Sequence, residues 1–437
     1  MSDTPQPARI DWSQRTIAAG QEVMAGKRTG LASFLPFIGP AVIASIAYMD
    51  PGNFATNIEA GAKYGMGLLW VVLLANLTAM LFQALSAKLG IVTGKSLAQN
   101  CRELCPKSVS ISMWVFGEIG AMATDMAEFL GAGLGLSLLT GWPMMICLVI
   151  TGLVTWLILA RFSSRFRPME MLIGIFVAII GVSYLAELFL APPVWSDVAK
   201  GMFTPHLDGP DAVMLTVGII GATVMPHALY LHSSLMHNRI PLNSARDAKR
   251  VIAFSHREIF IALGFAGFVN MAMVMMSATV FHPGHSGVAE IETAYKTLTP
   301  LLGGAAALIF LVSLIASGLS SSVVGTMAGQ SIMQDFIKVS LPIWLRRCVT
   351  MAPAFVVAGL GLGITQSLVA SQAVLSLVLP VPMISLVWLT SRRDVMGDYV
   401  NSRLVFWLSV LATTIVLSLN FLLLALTAGV PLPGLER

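Results

Sequence analysis

Apolar positions along this chain do not alternate with polar ones at helical or strand spacing; they fill long continuous stretches. Eleven such stretches lie near 32–63, 67–91, 110–138, 143–160, 169–192, 212–237, 257–281, 303–335, 343–363, 367–391 and 403–428. Each can supply a membrane helix, which needs roughly 20 mostly apolar residues. Continuous runs exclude a transmembrane β-barrel, whose strands alternate apolar and polar positions. The connections are short and leave no room for a second, soluble domain. The pattern predicts an all-α integral membrane protein of eleven transmembrane helices.

Two of these runs carry an interruption. The first contains Asp50-Pro51-Gly52-Asn53, and the sixth contains Gly221-Ala222-Thr223-Val224-Met225-Pro226-His227. Laid over one another, Met49-Asp50-Pro51 falls on Val224-Met225-Pro226, and in both runs about a dozen apolar residues precede the proline. Non-helical backbone at membrane depth is tolerated only where it faces protein or a water-filled cavity. The sixth span follows the first at an odd offset of five, so two five-helix units in series have opposite orientations. Interrupted helices at matching places in two inverted halves point to a substrate site near the bilayer midplane. The expected organisation is an N-terminal segment (1–30), a first five-helix repeat (31–192), an external loop (193–211), a second five-helix repeat (212–391), and an eleventh helix with the C-terminus (392–437).

Composition agrees with a membrane location: 56% of the 437 residues are hydrophobic and 11% charged, against about 25% charged in soluble domains. Residues 1–30 are polar and lack the compact apolar core of a cleavable signal. With the N-terminus in the cytoplasm, every Lys and Arg except Lys63, Lys200, Lys296 and Arg437 falls on the cytoplasmic side, out of 26 in all. That bias fixes topology by the positive-inside rule and puts the C-terminus outside. The net charge of +4 therefore reflects topology, not nucleic-acid binding. Short tails without a targeting peptide suit a bacterial cytoplasmic (inner) membrane. Cys101 and Cys105 fall on the cytoplasmic side, where thiols stay reduced; Cys147 and Cys348 are expected as small buried residues within spans.

Unwinding at the breaks frees backbone carbonyls around Ala47 and Ala222. Beside them the sequence sets the Asp50 carboxylate, the Asn53 amide and the Met225 thioether. Calcium and magnesium sites use oxygen throughout, whereas thioether sulfur favours softer transition metals and oxygen donors suit ions such as manganese. The mixture points to Mn2+ or Fe2+, with Cd2+ as a mimic. A carboxylate at the bilayer centre costs about 2.5–3.5 kcal/mol on insertion scales, so Asp50 needs a cation, a proton or both. Exchange between the two couples proton movement to metal movement.

At this point the residues resemble a known family. Asp50-Pro51-Gly52-Asn53 and Met225-Pro226-His227 are similar to the paired signatures of the Nramp (MntH) family, proton-coupled importers of divalent transition metals with a LeuT-type 5+5 inverted repeat. Gly318-Leu319-Ser320-Ser321-Ser322-Val323-Val324-Gly325-Thr326-Met327-Ala328-Gly329-Gln330 resembles the family's eighth-span motif more loosely. The likeness covers residues 30–428. It implies metal ligation by Asp50, Asn53, Met225 and the carbonyls of Ala47 and Ala222, adds Gln372 in the tenth span as a gate or ligand, and makes the eleventh helix an addition to a ten-helix core.

The third span carries Glu118, Asp125 and Glu128. At helical spacing Asp125 lies about 20° and Glu128 about 80° from Glu118, giving an acidic stripe with Met122 on the same side. Arg346 and Arg347 open the ninth span. Intramembrane carboxylates pair with one another or line an ion pathway, so static ion pairs between helices three and nine stand beside a proton route. The resemblance implies the route, from Asp50 and His227 through Asp125, Glu128, Arg346 and Arg347. His227, His232 and His237 recur every five residues and so wind around the helix, unlike the paired histidines of zinc proteases. Imidazole titrates near neutral pH, which suits His227 to proton acceptance or gating. His232 fits either an inner gate or a packed polar position, and His282 and His285 fall in an outer loop. Asn270 is a lone amide that lines the pathway or bonds a neighbouring helix, and Glu59 faces the external vestibule.

The chain thus reads as a proton-coupled importer working by alternating access, with metal and protons as cargo and no permanently bound cofactor. The same fold carrying Mg2+ or an amino acid, or a passive divalent-metal channel, remains an alternative. An enzyme is not expected, because no nucleophile–base pair or zinc-ligand spacing is present. No obligate protein partner or nucleic acid is implied beyond the lipid bilayer.

Overall fold

The computed structural model describes residues 12–28, 30–162, 166–207, 209–237, 239, 245–285 and 290–428. Arg9, Arg165 and Arg437, three of the residues used to orient the chain, lie outside them, as does the His285 side chain. The described residues fold into helices α1 (Trp12–Met24), α2 (Pro40–Ala47), α3 (Pro51–Tyr64), α4 (Leu69–Thr93), α5 (Leu97–Leu104), α6 (Lys107–Thr140) and α7 (Met144–Phe162). Next come α8 (Phe166–Leu190), α9 (Trp195–Phe203), α10 (Gly209–Thr223), α11 (Pro226–Met236), α12 (Ala245–Val280), the short turn α13 (His282–His285) and α14 (Ile291–Leu302). The series ends with α15 (Gly304–Ile337), α16 (Ile343–Gly359), α17 (Ile364–Val378), α18 (Pro380–Thr390), the short α19 (Arg393–Met396) and α20 (Arg403–Thr427).

Eleven spans follow, the first formed by α2 with α3, the sixth by α10 with α11 and the tenth by α17 with α18. Eight are long and apolar enough to cross a membrane on those grounds alone. The other three are the broken first span, the acid-bearing α6, and α16, which has 17 residues. These exceptions carry Asp50, Asn53, Glu118, Asp125, Glu128, Arg346 and Arg347. The sixth span sits at the centre, with 94% of its apolar window buried, while α7 and α20 are peripheral at 28%.

Local sequence explains where the helices begin and end. Asp50 is the N-cap of α3, its side chain accepting from the Asn53 backbone N–H, with Pro51 at the first helical position. Such a proline loses nothing, because its missing N–H would have no helical partner there. Met225 and Pro226 occupy the same two positions in α11. Gly94 and Gly141 end α4 and α6 in the left-handed conformation, where a side chain would be strained. A reciprocal capping box between Ser96 and Gln99 starts α5.

Several expectations need correction. Helix in the first span starts at Pro40 and not near residue 32; the approach to it is a 3-10 turn at Gly30–Ser33. The N-terminal segment contains α1, and the external loop contains α9. Cys348 is exposed on the outside of α16 while Cys101 and Cys147 are buried. The tenth span also loses a helical hydrogen bond at Leu379-Pro380, although Leu379 keeps helical backbone angles. Pro380 cannot donate to the Ser376 carbonyl four residues earlier. Asn420 of α20 supplies the missing donor, with Nδ2 2.6 Å from the Ser376 oxygen, and accepts from Ser376 Oγ at 2.7 Å.

Close helix approach is set by glycines. A Cβ at Gly318 would press on Ala132 and the Glu128 backbone, and one at Gly329 would collide with the Arg346 guanidinium. Small residues allow membrane helices, which lack a hydrophobic drive to associate, to pack by close contact. Here they seat α15 against α6 and α16.

The Asn420 clasp has a measurable consequence. Asn420→Leu strands the Ser376 carbonyl beside Pro380 and should cost about 0.6–2 kcal/mol. A lowered thermal unfolding midpoint in detergent is expected, with Gly359→Ala unchanged as control, since nothing lies within 4 Å of a Cβ there.

Candidate metal site

Both breaks obey one rule of backbone chemistry. A helical carbonyl accepts from the N–H four residues on; for Ala47 that residue is Pro51, and for Ala222 it is Pro226. Each proline withholds the donor, so each alanine keeps a carbonyl that its own helix cannot satisfy. The remaining freed carbonyls of the first break are taken up. Asn270 Nδ2 donates to the Tyr48 oxygen at 2.7 Å, and Ser317 Oγ donates to the Met49 oxygen at 2.5 Å.

Asn53 joins the two breaks. Its Nδ2 donates to Asp50 Oδ1 at 2.6 Å and to the Ala222 carbonyl at 3.0 Å. Thr223 Oγ1 donates to Asn53 Oδ1 at 3.2 Å. The Asn53 backbone N–H also reaches Asp50 Oδ1, at 2.8 Å, while the buried Oδ2 has no partner. Asp50, Asn53, Ala222 and Met225 are each fully buried, and Ala47 is 1% exposed. Asp50, Asn53 and the Ala222 carbonyl thus form one buried junction, and Ala47 and Met225 are buried at the ends of the half-helices beside it. Among the described residues no three His, Cys, Asp or Glu side chains form a metal-binding group, so a cation here would need carbonyl, amide or thioether donors beside the Asp50 carboxylate.

The tenth span reaches this junction through two glycines. A Cβ at Gly52 would collide with the Gln372 amide, and a Cβ at Gly221 with the Gln372 backbone carbonyl and Ser376. Gln372 Nε2 donates to Ser371 Oγ at 2.9 Å, and its buried Oε1 has no partner. Gly131 of α6 gives the same close access to the Pro51 ring. Gly52 was expected only as part of the break and Gly131 and Gly221 had no expected role, because a glycine in an apolar helix carries no signal about which neighbour it admits. Of the two readings of Asn270, the bond to a neighbouring helix is the one present; it also accepts from Asn57 Nδ2 at 3.2 Å.

The acidic stripe divides into two parts. Glu118, in the N-terminal half of α6, pairs with Arg346 at 2.9 Å. Asp125 and Glu128, deeper in, converge on Gly325, where a methyl would lie 3.0 Å from Asp125 Oδ1 and 2.7 Å from Glu128 Oε2. Asp125 Oδ1 and both Glu128 oxygens are buried without a partner. Arg347 is held instead by hydroxyls: Thr326 Oγ1 at 2.8 Å, Ser322 Oγ at 3.1 Å, and Thr155 Oγ1. Its guanidinium also lies 4.9 Å from the Phe129 ring centroid. Static pairing therefore describes Glu118 and Arg346, whereas Asp125, Glu128 and Arg347 share no ion pair among the described residues.

Histidines link these parts. Thr124, next to Asp125, lies 3.2 Å from His227 Nδ1, and His227 Nε2 is unpartnered. His232 Nδ1 is 2.6 Å from Gln83 Oε1, and Gln83 Nε2 donates to the Tyr48 hydroxyl at 2.7 Å, so a side-chain chain runs from α11 to the end of α2. His237 contacts the Ser234 carbonyl at 2.6 Å. His282 Nδ1 lies 3.0 Å from the Ala62 carbonyl and helps close α3. Glu59 pairs with Lys63 at 2.6 Å. Thr124, Gln83 and Tyr48 were not singled out from sequence, since lone polar residues of these types are common in membrane helices.

Comparison with known proteins gives a consistent result. The family profile described as natural resistance-associated macrophage protein-like (Nramp) matches residues 41–426. The divalent metal cation transporter MntH of Verminephrobacter eiseniae is 55% identical over 423 residues, covering 97% of this chain and 96% of that protein. The MntH of Deinococcus radiodurans is 49% identical and covers 98% of each. A crystal structure of the Eremococcus coleocola manganese transporter, bound to an aromatic bis-isothiourea compound, is 32% identical with a TM-score of 0.83, covering 92% of this chain and 88% of that one. MhsT in complex with L-phenylalanine, at 16% identity and a TM-score of 0.59, shares the fold alone. With the family profile spanning both helix breaks and the relatives aligned over nearly their whole length, this chain belongs to the Nramp family.

Proposed function

We propose that this protein imports divalent transition metals, Mn2+ or Fe2+ with Cd2+ as a surrogate, together with protons by alternating access. One observation carries the reading: the Asn53 amide joins a buried carboxylate with an unpartnered oxygen to the Ala222 carbonyl across two proline breaks, each of which takes the helical donor from an alanine carbonyl, and the buried Met225 caps the second. The names of the MntH relatives and of the manganese transporter support the same cargo. A cation at this junction replaces the Asn53 N–H donors, and a turn of the amide offers Oδ1 in their place. Asp50, Asn53, Met225, and the Ala47 and Ala222 carbonyls are the proposed ligands, with Gln372 joining as α17 moves. Met225 disfavours Mg2+ and Ca2+, which gain little from sulfur.

Protons take the side through α6. His227 stands beside the second break, with Thr124 bridging toward Asp125 and Glu128, two carboxyls that can accept protons without first breaking an ion pair. Arg347, anchored by hydroxyls, and Arg346, paired with Glu118, mark the exit end. The two five-helix repeats are proposed to rock about this site, with the N-terminus in the cytoplasm, the C-terminus outside, and the bacterial inner membrane as location. His232, through Gln83 and Tyr48, ties α11 to α2 on the inward side.

Uptake into proteoliposomes tests the proposal. Asp50→Ala should abolish saturable Mn2+ uptake; normal uptake by that variant would falsify the site. Met225→Ala should keep part of the Mn2+ transport and lose discrimination against Ca2+ by roughly tenfold or more, the scale of a 1.4 kcal/mol preference. Uptake of Mn2+ should rise with an inwardly directed proton gradient, and Glu128→Gln should flatten that response while leaving metal binding. Equal rates with and without the gradient in the parent protein would leave metal transport standing and remove the coupling.

A further inference from the structure

Outside the transport site, basic side chains from separate parts of the chain meet at one membrane boundary. Arg28, from the link between α1 and the first span, and Arg250 and Arg257, from α12, line a cavity of about 420 Å³. A second cavity of about 470 Å³ shares Gly30, Ser33, Phe254 and Arg257 with it and continues along Phe34, Phe260 and Ile261. Phe260 and Ile261 are 73% and 61% exposed on the outer face of α12. The first cavity carries three arginines, and the second is mainly apolar beyond Ser33, His256 and Arg257, the last in the shared wall. Arg257 is also the first residue of the apolar run in α12, which sets the junction of the cavities at headgroup depth.

The positive charge is only partly balanced. Arg28 pairs with Glu22 at 2.5 Å. Arg250 spends one donor, Nη1, on the Met24 carbonyl at 2.9 Å. Arg257 lies 5.9 Å from the Phe254 ring centroid. Phe254 stacks on Phe37 at 4.3 Å between centroids, which anchors it in the shared wall. Basic pockets between membrane helices on the cytoplasmic side suit anionic lipid headgroups.

We propose that these two cavities form one binding site for an anionic phospholipid. The phosphodiester sits between Arg250 and Arg257 with Arg28 at its rim, and an acyl chain follows Phe34, Phe260 and Ile261. A soluble phosphate compound would use only the first cavity and leave the apolar track empty. A zwitterionic lipid brings its own ammonium group to a pocket that already has an excess of positive charge. A lipid bound here bridges the segment entering α2 to α12, and so bears on the half-helix that carries Ala47.

The test is lipid retention by the full-length protein, released from nanodiscs of mixed phosphatidylcholine and phosphatidylglycerol and read by native mass spectrometry. Retained phosphatidylglycerol should exceed phosphatidylcholine. The double variant Arg250→Gln, Arg257→Gln should weaken retention by roughly 25-fold, about fivefold per arginine. Glu22→Gln, which removes the competing carboxylate, should tighten it roughly threefold, a gain that misfolding cannot produce. Equal retention of both lipids, or no change in either variant, overturns the proposal. Displacement of phosphatidylglycerol by millimolar inorganic phosphate also overturns it, by making this a soluble-anion pocket. If the double variant does not fold, the Glu22→Gln arm alone decides, since a lipid site must bind more tightly without that charge.

Discussion

The architecture depends on two prolines that withhold a hydrogen bond in a medium that offers no substitute. In lipid an unsatisfied backbone group costs several kcal/mol, so each break has to be repaired by protein or used. Most of the freed groups are repaired: Asn270 and Ser317 take the Tyr48 and Met49 carbonyls, and Asn420 takes the Ser376 carbonyl behind Pro380. The Ala47 and Ala222 carbonyls likewise lose their helical donors, to Pro51 and Pro226. Asn53 reaches across to Ala222 while holding Asp50. One side chain therefore links both halves of the junction, and a cation that displaces its donors acts on both half-helices at once.

Glycines supply the proximity on which that linkage relies. Gly52 and Gly221 admit α17 to the two breaks, Gly131 admits α6, and Gly318, Gly325 and Gly329 seat α15 against α6 and α16. Larger residues at these points would separate the helices and open the polar groups to lipid. The same closeness puts Asp125 and Glu128 against Gly325 without a cationic partner, while hydroxyls from α7 and α15 hold Arg347 beside the Phe129 ring. A permanently paired carboxylate would have to break its ion pair before taking a proton. Fixing the arginine elsewhere leaves the acids available, and Glu118 with Arg346 forms the closed pair in the N-terminal half of the helix.

Eleven spans and both principal breaks were legible in the sequence, because hydrophobic run length and the Asp-Pro and Met-Pro pairs are local signals. Gln372 came only through family likeness, since a glutamine in an apolar helix gives no hint of what it faces. The lost hydrogen bond at Pro380 was missed because its polar repair lies forty residues away, at Asn420. Helix α1 was missed because amphipathic helices outside the membrane are faint beside eleven apolar runs. Cys348 was expected inside and lies outside, for sequence gives a residue's depth in a span but not the direction it faces.

What the chain determined by itself is which segments lie in lipid and where their helices must open, because both follow from hydropathy and from the missing proline N–H. Tertiary structure decided which freed carbonyls are repaired and which stay available, and which carboxylates are paired. Those outcomes turn on contacts between residues far apart in the chain, such as Asn53 with Ala222, Thr124 with His227 and Arg347 with Thr155. Such contacts exist only once the helices have packed, and the glycines that permit the packing are silent about their neighbours until then.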